Sequence, residues 1–208
     1  MNIDFYLADL WTQTIAGDLT AYGKIHEFMY PKLYHYLKKI MDDEDLAEDL
    51  IQDLFVKVWE RKGIIDQIHN VRFYFFKAAR SMALNHFRWE KQHGRLCDYL
   101  TESDHAESSR EEVIVQQEAS RELSEKMSSA LKSLPKRQQE MIVLKYYENF
   151  SYVEISSMTG IKYQSVINHV HRGVLQLRTL FPSNTASGVF PNQQQDSQIR
   201  SLVVSELY

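Results

Sequence analysis

SYVEISSMTGIKYQSVINHVHRGVLQLRTLF, Ser151 to Phe181, reads as two helices joined by a sharp turn. Ser151 and Glu154 stand at the S-x-x-E spacing of a capping box, in which hydroxyl and carboxylate each satisfy a backbone donor left open at a helix start. The first helix carries Val153, Ile155 and Met158 and stops at Gly160, since glycine takes the positive φ of a tight helix exit. In the second, Val166, Val170, Val174, Leu177 and Phe181 recur at steps of four, four, three and four, which lays one apolar stripe along a helix. The opposite face carries Ser165, Asn168, His169, Arg172 and Gln176, side chains able to hydrogen-bond base edges or phosphates. That is helix-turn-helix geometry with the second helix as the reader. Two short amphipathic helices around a glycine also occur in ordinary bundles whose polar face is merely solvated, so DNA binding needs support from elsewhere in the chain.

The composition allows it. At 208 residues the chain holds one or two domains, and 44% hydrophobic with 25% charged residues is ordinary for a soluble globular protein. The single cysteine, Cys97, forms no internal disulfide, which points to a reducing compartment. No signal peptide opens the chain, because Asp4 and Asp9 interrupt it, and no apolar run reaches the ~20 residues of a membrane span. A cytoplasmic protein is expected. The net charge of −4 argues against a nucleic-acid binder until its distribution is considered. Residues 121–182 carry nine Lys or Arg against five Glu, whereas residues 101–120 carry six acids against Arg110 alone. A chain so arranged binds free DNA weakly, since attraction to phosphates scales with the cations presented and the acidic segment repels the backbone. A partner that helps it bind is implied.

From Phe5 to about Met41 the pattern is helical, with a break at Gly17 and Asp18 and a proline at position 31; the tyrosines 22, 30, 34 and 36 read as core and rim. Asp42, Asp43 and Asp45 suit the start of the next helix, as caps and as charges facing the positive end of its dipole. In that helix Leu46, Leu50, Leu54 and Val58, with Ala47, Ile51, Phe55 and Trp59, form a broad buried face. The other side presents Glu48, Asp49, Gln52, Asp53, Lys57 and Glu60: a solvated surface or a partner-binding one. After the loop Ile64–Asn70, the segment from Val71 separates Phe75, Ala79, Met82, Ala83 and Phe87 from a basic side of Lys77, Arg80, Arg88, Lys91 and Arg95. A basic helical stripe with aromatics near its ends is a nucleic-acid surface or a solubilising one.

Periodicity fades between Cys97 and Ser120, which reads as an acidic linker. It returns in two helices, Arg121 to Leu134 and from Met141 to Tyr147, before the helix-turn-helix. Beyond Pro182 the polar tail reads as disordered, with IRSLVVSELY at its end able to form a short helix on a partner. The expected fold is all-α: two small helical domains, 1–96 and 121–182, joined by the flexible linker 97–120, the second domain bearing the helix-turn-helix, and 183–208 a tail.

Two basic helical surfaces, an acidic linker and a helix-turn-helix in this order resemble the extracytoplasmic-function sigma factors of the sigma-70 class, over roughly Ile15 to Leu180. AEDLIQDLFVKVWE looks like the family's helix that docks on the clamp helices of RNA polymerase, FYFFKAARSMALNHFR like its minus-10 segment, and LKSLPKRQQEMIVLKYYENFSYVEISSMTGIKYQSVINHVHRGVLQLR like its minus-35 domain. The resemblance implies polymerase binding by Glu48, Asp49, Gln52, Asp53 and Lys57, with Trp59 bracing the helix. It implies handling of the melted minus-10 strand by Asn70, Arg72, Lys77, Arg80, Ser81, Asn85, Arg88 and Lys91, where stacking and edge contacts hold an extruded base. It places Lys162, Tyr163, Gln164, Ser165, Asn168, His169 and Arg172 at the minus-35 duplex. The partners implied are core RNA polymerase, promoter DNA and an anti-sigma factor, commonly a membrane protein, with no small-molecule substrate and no cofactor. Ser81 stands where the family usually has asparagine, and Ile167 and His169 replace residues often basic in the reading helix.

Two other classes compete. Asp42, Asp43, Asp45, Asp49 and Asp53 include i, i+4 carboxylates able to hold Mg²⁺ in an all-helical enzyme, yet no second helical carboxylate cluster faces them. The seven glycines form no phosphate-cradling loop, and the eight histidines show no metal-ligand spacing, so neither a catalytic nor a metal site is expected. A stand-alone regulator that shares the helix-turn-helix and binds duplex DNA as a dimer is the other class.

Overall fold

Gly17, at φ 98°, ends one helix, and Asp18 starts the next by accepting hydrogen bonds from the backbone of Thr20 (2.8 Å) and Ala21 (3.2 Å). This local chemistry separates α1 (Ile3–Ile15) from α2 (Leu19–Met41). The computed structural model describes residues 3–41, 43–63, 68, 70–93 and 129–180, and all regular structure among them is helical. The chain divides into two units, Met1–Thr101 and Glu102–Tyr208.

In the first unit α2 is the central element, packed against α1, against α3 (Glu44–Arg61) and against α4 (Val71–Gln92). It runs unbroken through Pro31, whose ring lies on the exposed side. Ile25, Met29, Leu33, Tyr36 and Leu37 recur at steps of three and four, and all are fully buried. Leu7 and Trp11 of α1, Ile51 and Leu54 of α3 and Phe75, Phe76, Ala79 and Ala83 of α4 complete the core. Each large side chain so buried contributes about 1.5–3 kcal/mol. The aromatic residues divide as expected: Tyr36 lies against Phe76 (5.2 Å between ring centroids), while Tyr30 and Tyr34 stack on each other at the rim. Tyr22 donates its hydroxyl to the Phe55 carbonyl (2.6 Å), and burial pushes its phenol well above the usual range. Asp43 caps α3 by accepting from Leu46 N, and Asn70 caps α4 by accepting from Phe73 N.

The second unit is described from a short helical stretch at 129–132. Pro135 starts α5 (Lys136–Ile142), which widens into a π-helical turn, Val143–Tyr147. Asn149 then takes a left-handed conformation at φ 57°, and Phe150 is fully buried in the core. Helices α6 (Tyr152–Thr159) and α7 (Tyr163–Leu180) follow. The capping box at α6 is complete: Ser151 Oγ accepts from Glu154 N (3.2 Å), and Glu154 Oε2 accepts from Ser151 N (2.8 Å). Gly160 closes the helix at φ 72°, its N–H donating to Ser156 O. Val166, Val170, Val174 and Leu177 form the buried stripe of α7. Val153 departs from expectation: two-thirds exposed, it lies outside the core that Ile155 and Met158 enter, because it falls on the far side of so short a helix. Gly173 lies against α5, and a Cβ built there would stand 2.6 Å from Ile142 Cδ1. The linker 97–120, residues 121–128 of the first expected helix and the tail from Phe181 lie outside the described residues.

Candidate nucleic-acid and partner interfaces

Helix α3 turns its apolar rows inward, so the polar row must face out. Glu48, Asp49, Gln52, Asp53 and Lys57 are all exposed, and Lys57 Nζ pairs with Asp53 Oδ2 at 3.1 Å. Val56, more than half exposed, sits among them opposite the buried stripe, an apolar centre within an acidic face that charge patterning did not reveal. Glu48 also reaches α2, where burial first and then its charge raise the Tyr30 phenol. Trp59 braces the helix as expected, 5.2 Å from the Tyr22 ring and covered by Lys62 Nζ at 3.7 Å.

Helix α4 is more selective than its sequence pattern. Lys77, Ser81, Asn85, Arg88 and Lys91 share one exposed arc, and Arg88 Nη1 donates to Asn85 Oδ1 at 2.9 Å. Arg80 does not join them. At about 100° per residue it falls on the border of the packed arc beside Phe76 and Ala83, and its side chain is turned in, 6% exposed and engaged within the protein. Arg72 lies on the inner side as well, half-buried, its Nε donating to Asp4 Oδ1 of α1 at 3.2 Å. Asn70 is the helix cap, so its side-chain Oδ1 is already committed to Phe73 N. Of the preceding loop, residues 64–67 and 69 lie outside the described residues, as does Arg95.

Lys162, just before α7, and Tyr163, Gln164, Asn168 and Arg172 on it are exposed, whereas Ser165 and His169 are half-buried. The exposed face of α7 thus includes Gln164, Asn168, His171, Arg172 and Leu175, with Ser165 and His169 partly covered. His171 was not expected there. Gln164 Nε2 donates to Asn168 Oδ1 at 3.3 Å. A second group was also missed. Tyr152 meets Tyr163 edge-on at 6.4 Å, and Lys145 Nζ lies 4.6 Å from the Tyr152 ring centroid. This puts a cation and two phenols beside the N-terminus of α7. Lys145 and Tyr152 are seven residues apart but not on one helix, since the chain leaves the helix between Tyr147 and Tyr152, with Asn149 at φ 57°.

Two family models match the chain in this order: sigma-70 region 2 over residues 27–92, and sigma-70 region 4 over residues 124–177. Together they span more than half of its length. The chain belongs to the sigma-70 family. Its curated relatives include the ECF RNA polymerase sigma factor SigW of Bacillus subtilis, 23% identical over 80% of this chain and 91% of SigW. They also include the ECF RNA polymerase sigma factor SigL of Mycobacterium tuberculosis, 25% identical over 79% and 93%. Among solved structures, the sigma factor RpoE of Bartonella quintana, in complex with the anti-sigma factor NepR, matches with a TM-score of 0.58 at 20% identity, covering 80% of this chain and all of RpoE. CnrH, in complex with the cytosolic domain of CnrY, matches at 0.57 and 18%, covering 86% and 99%. The sigma factor described here is of the ECF kind, a transcription-initiation subunit with helical regions 2 and 4. No helix among its described residues is long and apolar enough to cross a membrane.

Proposed function

We propose that this sigma factor joins core RNA polymerase through the outer face of α3 and directs it to promoters by reading a minus-10 element with α4 and a minus-35 element with α6 and α7. The observation that carries the reading is the pairing of regions 2 and 4 with three outward polar faces, one acidic on α3 and two cationic or amide-rich on α4 and α7. The acidic face, with Asp49, Gln52 and Asp53 around Val56, suits a basic partner helix that also offers apolar contact. On α4, Lys77, Arg88 and Lys91 track the phosphates of the melted strand while Ser81 and Asn85 meet bases, and Asn70 stands at the loop where an extruded base is held. Arg72 and Arg80 position α4 rather than touch DNA. On α7, Gln164, Asn168 and Arg172 enter the major groove, and Lys145, Tyr152, Lys162 and Tyr163 fix the phosphates at the helix N-terminus, with Ser165 and His169 at the edge of that footprint.

The domains are assigned as 1–96 for docking and the minus-10 element, 97–120 as an acidic linker lying in the polymerase's positively lined RNA path, 121–182 for the minus-35 element, and 183–208 as a tail. Free protein binds DNA poorly because its net charge is negative and its cations are divided between two units that polymerase holds at the promoter spacing. An anti-sigma factor that covers the same faces is the expected regulator. The protein acts in the cytoplasm and catalyses no reaction of its own.

Reconstitution tests this. The purified chain is added to sigma-free core polymerase, and comigration and transcription from genomic fragments are measured for the wild type and for Asp49→Ala combined with Asp53→Ala. Discrete transcripts from the wild type, with loss of association in the double variant, are expected. A chain that ignores core yet footprints duplex DNA symmetrically would instead be a stand-alone regulator.

A further inference from the structure

The seam between α2 and α3 is closed along its outer edge by a ladder of rings. Between ring centroids, Trp59 stands 5.2 Å from Tyr22, Phe55 4.5 Å from His26, His26 5.3 Å from Tyr30, and Tyr30 6.3 Å from Tyr34. Each end of the ladder is covered by a cation of the chain itself. Lys62 Nζ lies 3.7 Å from the Trp59 ring centroid, and Lys38 Nζ lies 5.8 Å from that of Tyr34. Lys38 also pairs with Glu44, to which the Tyr34 hydroxyl donates at 3.1 Å. That end therefore shows a cation held by a phenol and a carboxylate together. One turn away on each helix, Tyr30 and Glu48 repeat the phenol and the carboxylate, and the Glu48 charge reaches the Tyr30 ring. Among the described residues, no cation pairs with Glu48 or covers Tyr30.

Position and charge identify what completes this second pair. Glu48, Gln52 and Val56 form one i, i+4 row that climbs from the seam to the apolar centre of the α3 docking face. A segment laid over Val56 thus passes beside Tyr30 and Glu48. Of the residues that open α3, Glu44, Asp45, Glu48 and Asp49 are exposed acids, and none up to Asp49 is a base. The side chain that fits is cationic. Arginine suits the pair better than lysine, because its flat guanidinium stacks on a phenol and presents donors in fixed geometry to a carboxylate. Tyr30 is half-buried, and partial desolvation strengthens such a contact. We propose that Tyr30 and Glu48 form a seat for an arginine of the core polymerase segment that docks on α3, so that the docking surface extends across the seam onto α2. The inference rests on the polymerase-docking role of α3 proposed above. It deepens that role by adding a residue of α2 and naming the side-chain chemistry it receives.

The full chain is titrated with sigma-free core polymerase, and Tyr30→Phe, Tyr30→Leu, Glu48→Gln and the combined Tyr30→Leu and Glu48→Gln variant are compared. Tyr30→Phe keeps the ring face and should bind core within about twofold of wild type. Tyr30→Leu stays apolar but has no π face, and it should weaken binding roughly 2- to 30-fold, the range of one cation–π contact. Glu48→Gln should weaken binding as well. The combined variant should lose less than the product of the two single losses, because both side chains hold one cation. A probe that reads the occupant itself is Tyr30→p-benzoylphenylalanine, which on irradiation should capture core polymerase at a segment carrying arginine. If the leucine variant unfolds, this capture and Glu48→Gln, a change at an exposed position, still decide. Capture at a segment without cations, losses that simply multiply, or Tyr30→Leu at wild-type affinity overturns the seat while leaving the sigma role intact. A wild-type chain that does not join core overturns both.

Discussion

Gly173→Ala tests how α7 is seated. The added Cβ would stand 2.6 Å from Ile142 Cδ1, 3.4 Å from Ile142 Cγ1 and 3.5 Å from Gln138 Cβ, so only the first contact is prohibitive. Overpacking of this kind costs about 1–3 kcal/mol, while alanine in a helix interior returns about 1 kcal/mol relative to glycine. The net expectation is a destabilisation of about 0–2 kcal/mol, a result too small to prove its own cause. Ile142→Val supplies the missing leg, because it deletes the one clashing carbon. Alone it should cost about 0.5–1.5 kcal/mol through the void it leaves. In the double variant the alanine methyl enters that void without a clash, and the two changes should couple favourably by about 1–3 kcal/mol. Protection of the α7 amides against hydrogen exchange reads this directly, with about a tenfold change in protection per 1.4 kcal/mol. All three tryptophans, Trp11, Trp59 and Trp89, lie in the first unit, so tryptophan fluorescence during unfolding should stay at its wild-type midpoint and serves as the internal control. Additive effects within about 0.3 kcal/mol would refute the close α5–α7 contact as the reason for a glycine at this position.

The two arginines of α4 should separate by assay: Arg80→Ala, which empties a buried site, should destabilise the first unit by about 1–3 kcal/mol in denaturant melts. Arg88→Ala should leave stability within about 0.5 kcal/mol and lower the salt dependence of single-stranded promoter binding by holoenzyme by about 0.7 in log–log slope, the share of one phosphate contact; equal melts for the two would contradict the inward placement of Arg80. His35 on α2 has its pKa pushed down to about 4, first by burial and then by Lys39 and Lys38. Between an ordinary value of about 6.5 and 4 the unfolded chain binds a proton that the folded chain refuses, so stability is full above pH 6.5 and declines as pH falls toward 4. His35→Gln should flatten thermal midpoints across that window, and an unchanged slope would rule His35 out as its source.

Local signals carried far along this chain. The capping box at Ser151, the Gly160 exit, the breaks at Gly17 and Asp18 and the cap at Asp43 depend on neighbours within a few residues, and the all-helical class, the two units and the reader helix follow from them together with 3.6-residue periodicity. The outward row of α3 was legible for the same reason: eight apolar residues on one side leave the other open. What the sequence could not decide lies at the borders of helical faces and across breaks between helices. Arg80 and Lys77 both read as part of a basic stripe, yet burial at an arc's edge depends on which neighbouring helix reaches it, and α4 is covered to the very row that Arg80 occupies. In the same way Ser165 and His169 of α7 are partly covered while His171 and Leu175 stay exposed, a difference that helical phase alone does not set. Lys145 meets Tyr152, itself against Tyr163, across a break in the helix near Asn149, and a Cβ at Gly173 is crowded only because Ile142 comes from another helix. Periodicity records which side of a helix is apolar, a property of single elements; how wide the covered arc becomes, and which distant residues share a surface, are set by packing between elements, and only the tertiary structure contains it.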